Sequence, residues 1–250
     1  MGNARETFPH APIVEALFDI RVSLPKSVKL DALKNFQTGI ESEYPVVELR
    51  KSISGTIALG QDKRAIASSH ATELGYQFRS NANDRVLQAR FDGFSFSRLK
   101  PYTDWADVSQ EAFMHWRRYL RAYKPTGISR IALRYINSID LPNPTPRLED
   151  YLCTRPTLAD GLPQRMMGFF LRVALDDEES RAKVIVTQTI DESGKSNPAV
   201  IPVILDIDVY RESRFSSLDD DLEKQFEVLH ELKNRVFFES LTERTKELFR

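Results

Sequence analysis

The chain has 250 residues, of which 41% are hydrophobic and 28% charged, so it can bury a substantial core as one large domain or two small ones. The formal net charge of -1 excludes a protein whose whole surface attracts nucleic acid. The single cysteine, Cys153, excludes an intrachain disulfide framework and a cysteine-rich zinc site, and we expect a partly buried structural thiol there.

The first predicted element is a strand over residues 13–25, where apolar residues occupy alternate positions. A later segment, 130–142, matches it when the Leu-Pro endings are aligned, so that Ala16 corresponds to Leu133 and Phe18 to Tyr135. The match indicates either an internal duplication or a chance similarity between two amphipathic strands.

The pattern between and after these two strands predicts the remaining elements. In the first half we expect a helix over 27–40 capped by Ser27, strands over 46–59, 64–69, 74–79 and 86–98, and a helix from Asp104 to Pro125. In the second half we expect a short helix over 148–152, strands over 168–175, 182–190 and 200–210, and one long helix over 217–248. The predicted fold is therefore α+β, with an extensive antiparallel sheet and packed helices.

The two halves, 1–125 and 126–250, follow the same order of elements. The first reads β-α-β4-α and the second β-α-β3-α, which predicts a pseudo-duplicated layout within one compact unit. This element order resembles the helix-grip or TATA-binding-protein-like arrangement, in which an antiparallel sheet packs on a terminal helix.

Four segments carry a resemblance to a known family: APIVEALFDIRV at 11–22, RIALRYINSIDLP at 130–142, ILDIDVY at 204–210 and FFESLTERTKELF at 237–249. Together they resemble a sporadically distributed family of uncharacterised bacterial proteins of about this length. The resemblance implies a bacterial cytoplasmic protein, and the patchy distribution implies genes in mobile, defence or toxin-related neighbourhoods. It implies no activity.

A basic stretch without acidic residues runs over 116–135. Its members are Arg117, Arg118, Arg121, Lys124, Arg130 and Arg134. Basic side chains interleaved with aromatic ones suit contact with phosphates. The favoured alternative is a solvated helix face whose charges pair with Asp104, Asp107, Glu111 and neighbouring strands.

Carboxylates repeat two positions apart on two predicted strands, at Glu15 and Asp19 and at Asp206 and Asp208. Such pairs can share a divalent cation, which makes Glu15, Asp206 and Asp208 weak candidates for metal ligands. The favoured interpretation is a polar sheet face, or carboxylates paired with Arg134 and Arg21, so no metal and no cofactor are predicted.

Asn137 falls on the apolar face of its predicted strand. A buried amide needs hydrogen-bond partners, so we expect it to bind neighbouring backbone, the alternative being a place in the wall of a ligand cavity. The chain has no HExxH, GxSxG, P-loop or GxGxxG motif.

The first functional hypothesis is a non-catalytic binding protein with a protein partner, acting through a surface or through a groove beside the last helix. Its tentative binding residues are Arg117, Arg121, Lys124, Arg130, Arg134 and Asn137. The alternative is a metal-dependent enzyme acting on a nucleotide or phosphate ester. Nucleic acid is a disfavoured partner, no membrane association is expected, and a homo-oligomer is compatible with the sequence.

Overall fold

The computed structural model describes the backbone of residues 8–59, 65–142, 147–164, 166–191, 199–215 and 222–250, and their side chains except at 54–70 and 213–215. Nine strands form one antiparallel sheet in the order β2-β3-β4-β5-β1-β6-β9-β8-β7. They are β1 (Ile13–Ser23), β2 (Val46–Leu59), β3 (Ala65–Arg79), β4 (Arg85–Arg90), β5 (Gly93–Leu99), β6 (Gly127–Pro142), β7 (Phe170–Asp177), β8 (Ala182–Ile190) and β9 (Val200–Phe215). The predicted α+β class and extensive antiparallel sheet are confirmed.

Within the described residues, four helices accompany the sheet: α1 (Leu30–Lys34), α2 (Trp105–Tyr123), α3 (Leu222–Ser240) and α4 (Glu243–Lys246). The start of α2 agrees with the sequence, because the Asp104 side chain accepts a hydrogen bond from the backbone of Asp107 at 2.8 Å. Its end also agrees, with Lys124 in the left-handed conformation after the last turn.

The core lies between these helices and one face of the sheet. Phe18 of β1 is fully buried, and its ring stacks on Phe226 of α3 at 3.6 Å between centroids. It also meets Phe113 of α2 edge-on at 5.0 Å. Phe36, just after α1, packs against Phe78 of β3 on the same side of the sheet. We call this side the helix face, and the opposite side the polar face.

The strands of the first half divide differently from the prediction. The expected turn over 70–73 is absent, because β3 runs unbroken from Ala65 to Arg79. The expected strand over 86–98 is instead a hairpin that turns at Phe91 and Asp92. The first half still has the predicted number of strands, because one predicted turn is absent and one turn that was not predicted is present.

Three helices were predicted too long, and the first two are short ones. Helix α1 has five residues followed by a 3-10 turn (Asn35–Gln37), and its N-cap is Lys29 rather than Ser27. The element predicted at 148–152 is only a 3-10 turn (Leu148–Asp150).

The last helix does not continue to residue 248. It ends at Ser240, whose carbonyl accepts from the backbone of Cys153 at 2.9 Å, and Leu241 forms a β-bridge with Leu152. Thr242 then caps α4. Backbone hydrogen bonds to the 151–153 segment therefore interrupt the helix, while its predicted start at 217 lies outside the described residues.

Cys153 is exposed, contrary to the expected partial burial. Among the described residues, no helix combines the length and the apolar character needed to cross a bilayer.

Candidate functional site

The polar face carries a depression of about 330 Å³ over the central strands β1, β6 and β9. Its lining consists of Leu17, Asp19, Arg21, Arg130, Ala132, Arg134 and Asp208. The alternation of each strand brings these side chains together, because the residues opposite in the sheet register share a face. Leu17 lies opposite Arg134, for example, and Arg134 lies opposite Asp208.

Asp19 is the most engaged carboxylate of this face. Its side chain is only 7% exposed and accepts hydrogen bonds from three arginines. These are Arg21 at 2.9 Å, Arg90 at 2.7 Å and Arg130 at 3.4 Å. Three guanidinium groups around one carboxylate leave an excess of positive charge, which further carboxylates nearby offset.

Arg90 reaches Asp19 from β4 by crossing over β5. Its guanidinium also donates to Asp92 at 2.9 Å and to the Ser95 hydroxyl at 3.2 Å. Gly93 lies between Arg90 and Arg21 in the sheet register and has no side chain to obstruct the crossing. Burial alone lowers the pKa of Arg90, but the charges of Asp19 and Asp92 outweigh burial and raise its pKa above the ordinary value.

Arg130 continues the network from β1 to β9. It bonds to Asp208 at 3.2 Å as well as to Asp19, and its guanidinium lies over the Tyr210 ring at 4.5 Å. Burial raises the pKa of the Asp208 carboxyl, and the charges of Arg130 and Arg134 only partly oppose this rise.

Arg134 and Asp206 form a two-point ion pair beside this chain. The Nε of Arg134 donates to Oδ1 of Asp206 at 2.8 Å and Nη2 donates to Oδ2 at 2.5 Å. The hydrogen bonds to Asp206 are the main reason that the pKa of Arg134 is raised. Arg134 nevertheless remains 42% exposed, so part of its guanidinium faces solvent at the depression.

The polar face thus carries an alternating array of four arginines and four aspartates. The array consists of Arg21, Arg90, Arg130 and Arg134 with Asp19, Asp92, Asp206 and Asp208. Its formal charge is balanced. Such an array can offer both donors and acceptors in fixed positions to a partner, which favours recognition rather than accumulation of one charge.

Helix α2 packs on the helix face, so Arg117, Arg121 and Lys124, on or just after it, do not line the depression. Arg117 pairs with Glu223 of α3, and not with Asp104, Asp107 or Glu111 as the sequence suggested. Glu111 instead pairs with Arg85 at 2.8 Å. Arg121 and Lys124 are exposed and form no ion pair within the described part of the chain.

Asn137 lies on the helix face, so the sheet separates it from the depression. It is 1% exposed, and its Nδ2 donates to the carbonyl of Leu205 on β9 at 2.9 Å. This geometry is the one expected of a buried amide that joins neighbouring backbone. The six predicted binding residues therefore fall at three places: α2, the polar face with Arg130 and Arg134, and the helix face.

The weak metal candidates all lie on the polar face, but arginines engage the aspartates. Both oxygens of Asp206 bond to Arg134, and Asp208 bonds to Arg130. The charge of Glu15 contributes to the raised pKa of Arg134, after the larger contributions of Asp206 and Asp208. Among the described residues, no three His, Cys, Asp or Glu side chains are arranged to hold a metal ion.

Sequence reasoning missed Arg90 and Asp92, because it placed both in or beside a single long strand. The dipeptide Asp92-Gly93 was the available signal, since Asp-Gly is a common turn sequence in hairpins. Recognising that turn would have put Arg90 and Asp92 together at one end of the β4–β5 hairpin.

Comparison with known proteins adds no further assignment: no protein-family model matches the chain, and no curated protein matches it.

Proposed function

We propose that the chain is a non-catalytic binding protein that recognises a protein partner through the depression on its polar face. The observation that carries the proposal is the array of arginines and aspartates, in which Arg130 and Arg134 remain partly exposed while their positions are held by ion pairs. Arginine is enriched at protein interfaces, where its fixed donors bind carboxylates and backbone carbonyls.

The balanced charge favours a protein over a nucleic acid as the partner. A phosphate backbone that crossed the depression would approach Arg134, but it would also approach Asp206 and Asp208. Nucleic-acid surfaces gain their affinity from unneutralised Lys and Arg. A protein surface with both signs of charge complements this array better.

A metal-dependent enzyme acting on a nucleotide or phosphate ester is the alternative, and the geometry supports it less. A cation at Asp206 would compete with the guanidinium that bonds both of its oxygens. Calorimetry with Mn²⁺ tests this alternative directly. Binding that the Asp208→Asn variant abolishes would favour the enzyme, whereas no heat of binding would favour the recognition role.

Two matched substitutions test the recognition role. Arg134→Gln and Arg121→Gln remove the same charge, one at the depression and one on the exposed face of α2. A partner is first captured from a lysate of the source organism, and its affinity for each purified variant is then measured by calorimetry. We expect Arg134→Gln to weaken binding at least about tenfold, which is about 1.4 kcal/mol, and Arg121→Gln to leave it unchanged. Equal affinities for both variants would contradict the proposed surface.

We further propose a bacterial cytoplasmic setting in which this protein is an accessory component of a mobile, defence or toxin-related locus. The resemblance of the four sequence segments supports this part of the proposal. The identity of the neighbouring genes tests it, since a toxin, nuclease or protease next to this gene would define the class of partner.

We also propose that the two halves arose by duplication, with the TATA-binding-protein-like order of elements. The sequence match and the strand order support this. Strands β1 and β6, which carry the matched segments, are antiparallel neighbours, and outward from them the sheet continues as β5-β4-β3 on one side and β9-β8-β7 on the other. The last strand of each half therefore lies beside its first strand, as a two-fold axis between β1 and β6 requires. Superposition of residues 13–123 on 127–240 in an experimental structure tests this relation.

A further inference from the structure

The two edges of the sheet differ in how they are protected against pairing with another strand. At one edge, β2 has a register shift between Arg50 and Lys51 and carries these exposed charges. Bulges and charges of this kind discourage edge-to-edge association. At the other edge, β7 pairs with β8 over eight consecutive residues without a shift. Within the described residues, no backbone group of β7 bonds outward to another segment.

Exposed apolar side chains lie at both edges, with Val46, Leu49 and Ile53 on β2 and four others at this second edge. Leu162, Met167, Phe170 and Leu175 are 54%, 81%, 69% and 49% exposed, respectively. All four lie on β7 or in the segment leading to it. Exposed apolar surface beside an open strand edge is a feature of association sites.

The sequence of β7 is complementary to itself in the antiparallel direction. Arg172 and Asp176 point to the polar face, are exposed, and form no ion pair among the described residues. They flank Ala174 symmetrically. If two copies of β7 pair about a two-fold axis at Ala174, Arg172 of each copy lies opposite Asp176 of the other.

The helix-face pairs nearest the axis are also complementary, whereas the next pair on that face places Leu171 opposite Asp177. Val173 of one copy then lies opposite Leu175 of the other, which would bury the exposed Leu175 side chain. The same axis thus aligns two charged pairs on the polar face and two apolar pairs on the helix face. A two-fold interface of this kind requires a patch that complements itself.

We propose that the β7 edge is a homodimer interface, in which β7 strands of two copies pair antiparallel about Ala174 and join two sheets into one. The partner at this edge is a second copy of the chain. In an antiparallel pair of β7 strands, Arg172 of each copy meets Asp176 of the other. This inference does not depend on the binding role of the depression, which lies on the central strands.

Charge exchange tests the interface by sedimentation equilibrium of the purified full chain. The wild type should dimerise, and Arg172→Asp or Asp176→Arg should each weaken dimerisation at least about tenfold, because like charges then face each other twice. The double variant Arg172→Asp/Asp176→Arg should regain dimerisation. An equimolar mixture of the two single variants should form heterodimers, because each then supplies the charges that the other lacks.

Lys51→Glu on the opposite edge is the matched control and should leave dimerisation unchanged. Circular dichroism checks that each variant is folded, and the two single variants test the same pair independently. A wild type that stays monomeric at high concentration overturns the proposal, including the case where the edge takes up a strand from a different protein. The proposal is also overturned if the wild type dimerises but substitutions at Arg172 and Asp176 leave dimerisation unchanged.

Discussion

Asp19 and Arg90 form a buried ion pair across an intervening strand. Nη2 of Arg90 on β4 donates to Oδ2 of Asp19 on β1 at 2.7 Å, over β5, and the two side chains are only 8% and 7% exposed. The pair links β4 to β1 across β5 on the polar face. Removing one partner of the pair costs free energy mainly through desolvation, because the remaining charge has little access to water at this depth.

We expect Asp19→Ala and Arg90→Ala each to lower the free energy of unfolding by about 1–3 kcal/mol, because each removes the closest partner of a buried charge that keeps its other partners. The double variant should cost clearly less than the two single costs together. Urea unfolding of all three measures the coupling. Arg117→Ala is the control, since its pair with Glu223 is more than half exposed and should contribute about 0–1 kcal/mol. Additive single costs would contradict the coupling.

Gly93 is required by the close approach of β5 to β1. Its φ is +154°, and an added Cβ would overlap the carbonyl oxygen of Ile20 and lie 3.1 Å from the Cα of Arg21. We expect Gly93→Ala to destabilise the fold by roughly 2–4 kcal/mol, through backbone displacement and strain. Gly127→Ala is the matched control, because nothing lies within 4 Å of its Cβ position. Thermal unfolding of both variants gives the comparison, and similar losses for the two would refute the steric argument.

The buried ring of His115 makes stability depend on pH. It is 2% exposed, stacks near Phe96 and meets Tyr44 edge-on, and burial lowers its pKa to about 4 from 6.5. As the pH falls through this interval, the unfolded chain binds a proton that the folded protein excludes, so stability is lost. The loss through the whole interval is about 3 kcal/mol.

The variant His115→Phe keeps an aromatic ring but cannot be protonated. We expect its unfolding free energy to fall less steeply than that of the wild type between pH 6.5 and pH 4. Chemical unfolding at several pH values within this interval gives both slopes. Parallel slopes would show that His115 does not carry the effect.

The basic residues of α2 should not support nucleic-acid binding. Arg117 is paired with Glu223, and the sheet arginines are paired with aspartates. We expect no binding of DNA or RNA at low salt, and only a small change in melting temperature for the double variant Arg117→Glu/Arg121→Glu. Binding that weakens with salt and disappears in this variant would reverse the conclusion, since the salt dependence reports contacts to phosphates.

Much of the polar face was accessible from the sequence, because alternation alone assigns side chains to faces. The spacing of Asp206 and Asp208 placed both on one side of a strand, and the spacing of Arg130 and Arg134 did the same. Pairing of the strand carboxylates with Arg134 and Arg21 was one of the two favoured alternatives, and in the structure Arg134 pairs with Asp206 and Arg21 with Asp19. The position of Asn137 on the apolar face was likewise legible from its neighbours.

Local sequence patterns predicted the ends of helices and strands less well. The apolar stripe of the last helix continues past Ser240, but hydrogen bonds from residues 151–153 end the helix there. Helical spacing describes which residues could share a face, whereas the competing backbone partner comes from a distant part of the chain. The turn at Phe91 and Asp92 was missed for a different reason, because the local Asp92-Gly93 signal was present but stands inside a run that alternates apolar and polar residues.

The sequence by itself determined the fold class, the strands that carry the site and the face to which each of their side chains points. Only the tertiary structure decided that Asp19 would meet Arg90, 71 residues away, and that Arg117 would meet Glu223 instead of the acids on its own helix. The reason is physical: the direction of a side chain follows from local backbone geometry, which alternates at every residue of a strand. Its partner depends on strand order and register, which the burial of the whole core decides.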